Sequence, residues 1–174
     1  LYGYLILPAV QLLWINLLTD GLPALALGAD PKSDDVMDRP PRDSDRGIVG
    51  RRMLGVIGAT GAVTTVVMLA LTVFTLRGAD AVTPYAMTMV FTGFVFREFE
   101  KLYVIRWLRE TPTLSNPWLA AAVAGSIALQ LAVLYTPLNR YFGTVPLDPT
   151  DWGIIAAVLV VCLPVYLAIA SLLK

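Results

Sequence analysis

The apolar positions of this chain gather into five long runs separated by polar stretches. About 20 consecutive apolar residues suffice to cross a bilayer. The runs at about 8–28, 53–76, 84–107, 118–137 and 152–173 meet that length. The expected fold is all-α: a polytopic membrane helix bundle of five transmembrane helices, occupying residues 1–174 as one domain. The polar stretch at about 29–52 is charged, with Asp30, Lys32, Asp34, Asp35, Asp38, Arg39, Arg42, Asp43, Asp45, Arg46, Arg51 and Arg52. Its prolines, Pro31, Pro40 and Pro41, argue against regular structure there. The other connections are short: Arg77-Gly78-Ala79-Asp80, about 108–117 with Pro112 and Pro117, and about 138–151 with Pro146 and Pro149.

Basic residues orient the chain. Lys32, Arg39, Arg42, Arg46, Arg51, Arg52, Lys101, Arg106, Arg109 and Lys174 fall on one side of the expected bundle, and only Arg77 and Arg140 on the other. Lysine and arginine concentrate in cytoplasmic loops. Loop 29–52 and the C-terminus are therefore expected in the cytoplasm. Tyr2, Tyr4, Trp14, Tyr103, Trp107, Trp118, Tyr141 and Trp152 mostly fall near helix ends, where aromatic belts sit.

Composition supports this picture: 57% of residues are hydrophobic and 15% charged, against roughly half and a quarter in soluble domains. Thirteen basic and thirteen acidic residues cancel, so no broad basic face suggests nucleic acid. Histidine is absent, which removes the usual zinc and histidine-based catalytic sets. The single Cys162 can form no disulfide within the chain. The start, Leu1-Tyr2-Gly3-Tyr4, lacks the charged flank of a signal peptide and reads as a cut through a longer chain.

The first apolar run carries the clearest chemistry, Asn16-Leu17-Leu18-Thr19-Asp20-Gly21-Leu22-Pro23. A carboxylate at membrane depth is expensive and marks a functional site by default. Asn16, Thr19 and Asp20 are spaced i, i+3, i+4 and share one helix face. They offer an amide carbonyl, a hydroxyl and a carboxylate, the hard oxygen donors that calcium or magnesium takes. Gly21 and Pro23 weaken the backbone ladder at once. A broken helix here would present freed carbonyls as well, as discontinuous helices do in ion sites. Hydrogen bonding to a neighbouring helix is the plainer alternative for Asn16 or Thr19 alone.

The third run holds Arg97, Glu98, Glu100 and Lys101. Arg97 with Glu100 and Glu98 with Lys101 are i, i+3 pairs, and the basic stems are expected to snorkel to the interface. Gly55 with Ala59, Gly58 with Ala62, and Ala121 with Gly125 give small-residue spacing for close helix approach, either within these helices or to another one. Pro164 is expected to bend the last helix.

The stretch from Gln11 to Ala24, with Ala26-Leu27-Gly28 after it, resembles the sixth membrane helix of P-type calcium-transporting ATPases, nearest to the sarco/endoplasmic-reticulum type and its bacterial and archaeal relatives. Met37-Asp38-Arg39-Pro40-Pro41-Arg42 resembles the cytosolic loop that follows, and Met87-Thr88-Met89 with Glu98 resembles the eighth helix. The resemblance covers essentially the whole chain and only the last part of such a pump. It implies metal ligands Asn16, Thr19, Asp20 and Glu98, with Asp20 bridging two calcium sites. It implies a loop that touches the phosphorylation domain and couples ATP use to transport. Calcium is the implied cargo, and Mg2+ and ATP serve the cytosolic domains. The implied partners are membrane lipid and the earlier membrane helices and cytosolic domains. The phosphorylation motif, the nucleotide-binding domain and the ligands of the fourth and fifth helices do not occur in this sequence. The chain is therefore expected to hold about half of a calcium site and to hydrolyse no ATP by itself. The alternative is a non-enzymatic five-helix membrane module that scaffolds or regulates.

Overall fold

The computed structural model describes residues 7–30, 50–79, 81–108, 111–112 and 115–171. The Met37–Arg42 segment expected to couple lies outside them. The helices in order are α1 (Ala9–Ile15), a π-helical turn (Asn16–Gly21), α2 (Leu22–Leu27), α3 (Arg51–Leu76), α4 (Pro84–Leu108), α5 (Pro117–Tyr135), α6 (Asn139–Phe142) and α7 (Pro149–Ser171). No strand occurs among the described residues.

Local chemistry sets the ends. Pro117 opens α5 at a position that needs no N–H donor, and Asn116 caps it by accepting from the Leu119 amide at 3.0 Å. α3 ends where Arg77 takes a left-handed φ of 37°, followed by Gly78 at 81°. Gly143 (φ 64°) ends the short α6 in the same way. α7 starts earlier than its apolar run, because Pro149 leads it and Asp151 accepts from the Asp148 amide at 2.9 Å. Pro164 lies inside α7, which continues past it.

α4 is the hub. It packs against α3 and α7 on one side and against α1 and the π turn on the other, while α2 packs on α5. Its side chains Met89, Phe91 and Val95 are fully buried. Phe91, Val95 and Phe99 meet Ile15, Leu18, Leu119 and Val123 in one cluster. Met89 joins Met68, Leu71, Leu134 and Ile155 in a second. Gly93 explains the closeness of α3 and α4: a Cβ there would meet Leu71 Cδ2 at 2.9 Å. The stripe on α3 does not serve this contact. Gly55, Gly58 and Ala62 are exposed, as are Ala121 and Gly125 on α5.

Among the described residues four stretches are long and apolar enough to cross a membrane: Ala9–Leu27, Met53–Leu76, Pro117–Tyr135 and Pro149–Ile169. α4 has the length, 25 residues, but Arg97, Glu98, Glu100, Lys101 and Arg106 interrupt its apolar character. Being central compensates, because these charges face helices as well as lipid.

Candidate cation site

The helix that carries Asn16, Thr19 and Asp20 widens where a break was expected. Asn16 (φ −58°, ψ −41°) and Gly21 (φ −68°, ψ −61°) keep right-handed helical angles through the π turn. A π turn bonds i to i+5 and holds more residues than an α turn, so position 20 falls closer beneath position 16 than in an α-helix. Such turns recur at functional sites. Pro23 ends the turn. It has no N–H, so Leu18, five residues earlier, finds no π-type donor there. The Leu18 carbonyl instead accepts from Ser126 Oγ on α5 at 3.1 Å.

Both flanks of the turn are tied down. Before it, Gln11 Nε2 donates to the Phe142 carbonyl at 2.8 Å. Trp14 Nε1 donates to Gln130 Oε1 at 3.1 Å, and Gln130 Nε2 reaches Thr92 Oγ1 at 3.4 Å. After it, Asn116 Nδ2 donates to the Ala26 carbonyl at 2.7 Å and to Asp30 Oδ1 at 2.8 Å. Arg106, 4% exposed, grips both Asp30 oxygens at 2.8 and 2.6 Å and reaches Ser115 Oγ at 2.9 Å. Arg106 thus ends in an ion pair in which one nitrogen, Nη1, reaches both carboxylate oxygens of Asp30.

Those hydrogen bonds hold the Asp30 carboxyl below the ordinary aspartate value of about 3.9, against burial, which pushes it up. A carboxylate lowered in the folded state contributes stability above its unfolded pKa and loses it as pH falls through the folded value. Thermal stability of the chain in detergent is therefore expected to fall as pH drops from 5 to below about 4, where an unperturbed aspartate titrates. The Asp30→Asn chain should show a shallower drop over that window. Equal drops in the two chains would sink the assignment.

Asn16 is exposed. The side chains of Thr19 and Asp20 lie outside the described residues. Glu98 sits on α4 in a groove of about 440 Å³ shared with Val56, Thr60, Thr64 and Thr65 of α3, and no residue of α1 or α2 lines it. Its carboxylate pairs with Lys101 Nζ at 2.5 Å. The structure thus packs the π turn against α4, the helix that carries Glu98, but does not bring Asn16 and Glu98 into one ligand set. Among the described residues no cluster of three or more Asp, Glu, Cys or His could hold a metal.

The second expected pair is present too, Arg97 Nη1 with Glu100 Oε2 at 2.7 Å. Arg97 does not snorkel. It is 1% exposed, stacks over the Tyr166 ring with 4.3 Å to the centroid, and donates to Tyr166 Oη and to Thr64 Oγ1. Tyr166 and Thr64 satisfy the cation from α7 and α3, so it has no need of the interface. Sequence reasoning passed over Tyr166, Ser126 and Gln130, although the last two are polar residues in an otherwise apolar helix, a usable signal for interhelical hydrogen bonds.

The family model for "Cation transporting ATPase, C-terminus" matches residues 4–172. This chain belongs to that family. A calcium-transporting ATPase of Bacillus subtilis (strain 168) is 34% identical over 170 residues, which is 94% of this chain and 19% of the relative. The calcium-transporting ATPase type 2C member 1 of Pongo abelii is 35% identical over 83% of this chain and 16% of its own length. A probable plasma membrane-type calcium-transporting ATPase 8 of Oryza sativa subsp. japonica is 30% identical over 91% of this chain and 17% of its own length. This cation-transporting ATPase C-terminal region thus spans under a fifth of the length of these relatives. Its apolar helices make it an integral, multi-pass membrane protein.

Proposed function

We propose that this chain is the C-terminal membrane part of an ATP-driven pump whose cargo is calcium. Asn16, Thr19 and Asp20 supply ligands from the π turn, and Glu98 supplies one from α4. The remaining ligands come from earlier membrane helices, and Mg2+ and ATP act on cytosolic domains beyond this chain. Loop 29–52 couples those domains to the site. The observation that carries this reading is the π turn: a widened, proline-ended turn bearing three oxygen side chains within a membrane-length helix, anchored on both flanks. Calcium takes six to eight oxygens, and these four side chains fall short, which fits a site completed by other helices. The decisive experiment is calcium-dependent phosphoenzyme formation in the full pump with these positions altered.

In this reading α4 crosses the membrane with the other four spans, and loop 29–52 and the C-terminus face the cytoplasm. The topology is testable with an impermeant thiol reagent in a Cys162→Ser background. Thr144 is buried, its hydroxyl donating to the Val133 carbonyl, so Tyr141, 76% exposed on α6, is the better reporter. Cysteines at Ser44 and Tyr141 are expected to label from opposite faces of sealed vesicles. Labelling of both from one face would refute a five-span arrangement.

A further inference from the structure

α3 and α7 leave an open apolar groove of about 460 Å³ between them, lined by Val67, Phe74, Ala157, Val161 and Cys162 among others. Both helices are of membrane-crossing length and composition, so the groove lies at membrane depth. Its lining is almost wholly hydrocarbon. At its end, Arg77 stands one residue past α3, and its guanidinium lies over the ring of Phe74 with 4.3 Å to the centroid. Phe74 lines the groove, so the cation stands at the mouth. The backbone strains to put it there: Arg77 is the sole non-glycine residue with positive φ among the described residues. A left-handed side chain is uncommon and is worth asking about for function. Among the described residues Arg77 makes no ion pair, and it is exposed.

We infer that this groove is a specific phospholipid site, with an acyl chain laid along α3 and α7 and the phosphodiester on Arg77. From Phe74 back to Val67 the groove runs seven residues, roughly 10 Å at 1.5 Å per residue, the reach of several methylenes. Arginine favours phosphate through paired N–H donors. A free phosphate would use Arg77 and leave the groove empty. A docked helix would fill the groove and leave Arg77 without an anion unless it brought a carboxylate to that level. A phospholipid satisfies both features with one molecule. The inference rests on the membrane-spanning reading of α3 and α7 and adds a ligand to it.

The test uses the full chain reconstituted in phosphatidylcholine vesicles and re-extracted in detergent until bulk lipid is stripped. Resistance of the vesicle-bound chain to alkaline carbonate checks the membrane reading separately. Native mass spectrometry is expected to find about one phosphatidylcholine per chain. Arg77→Gln should lower that occupancy about tenfold, and Arg77→Lys should recover part of it. Ala157→Trp should abolish it by filling the groove with Arg77 intact. Arg140→Gln, which removes the exposed basic residue of α6, should leave it unchanged. Circular dichroism confirms that each variant keeps its helices. The inference is overturned if a carbonate-resistant wild-type chain retains no lipid, or if Arg77→Gln and Ala157→Trp retain as much as wild type. It is equally overturned if a cysteine at Val161 cross-links quantitatively to a second polypeptide while lipid is absent.

Discussion

Asp20→Asn in the intact pump is expected to abolish phosphorylation from ATP in the presence of calcium while leaving phosphorylation from inorganic phosphate in place. Asp20 is the only acidic residue of the turn from Asn16 to Gly21. The change keeps the shape of the side chain and removes its charge. A divalent cation brought to membrane depth loses hydration that only anionic oxygens can offset. In the proposed pump the forward reaction would wait for bound calcium, and the reverse one would not need it. Glu98→Gln is expected to do less, because glutamine keeps a carbonyl donor and Glu98 already shares its charge with Lys101. Asn16→Ala should impair one of two calcium sites, and Thr19→Ala the site that Glu98 serves. A calcium titration of phosphoenzyme for each variant decides the matter. Normal activation in Asp20→Asn, with activation abolished in Glu98→Gln, would reverse the assignment.

Arg97→Ala is the largest structural effect predicted. The side chains of Arg97 and Glu100 are 1% and 10% exposed, and Glu100 finds no other cationic partner among the described residues. Removing one member of a buried pair leaves the other charge uncompensated, at a cost of about 3–5 kcal/mol. In a chain of this size that corresponds to a fall in apparent melting temperature of roughly 10 °C. Replacing both, Arg97→Met with Glu100→Gln, should restore most of the loss, since an apolar substitute for a buried pair is often neutral or better. Thermal unfolding in detergent checks both. A double variant as unstable as Arg97→Ala would mean that the packing of Arg97 on Tyr166 matters more than the pairing.

Helix positions were legible from the sequence because apolar length is a local property. Each long helix starts or ends within a few residues of its run, and the differences, such as the early start of α7 at Pro149, follow from capping. The two i, i+3 pairs on α4 were legible for the same reason. What the sequence did not display is where charge goes once helices pack. Arg97 meets Tyr166 across 69 positions, and Arg106 meets Asp30 across 76. No periodicity encodes such a meeting. Pro23 signalled an interruption correctly, but its form depended on Ser126, 108 positions from Leu18, being there to take the stranded carbonyl. Of the site, the residue types and spacing in the first helix were legible. The orientation of Glu98 towards α3 was not, because it is decided by which neighbours α4 has on each side.

The hub position of α4 has a consequence for how the protein is made. A helix bearing Arg97, Glu98, Glu100, Lys101 and Arg106 is a poor candidate for partitioning into lipid alone, since each charge at a helix centre disfavours insertion by roughly 2.5–3.5 kcal/mol. During synthesis α3 emerges first and offers Thr64 to Arg97, while Tyr166 arrives only with α7, the last helix of this chain. For the time between, a nascent protein holds a cation awaiting its final partner. Synthesis halted before Tyr166 should leave α4 loosely held, and ribosome-bound chains stopped on either side of that residue should differ sharply in how readily α4 is extracted from the membrane.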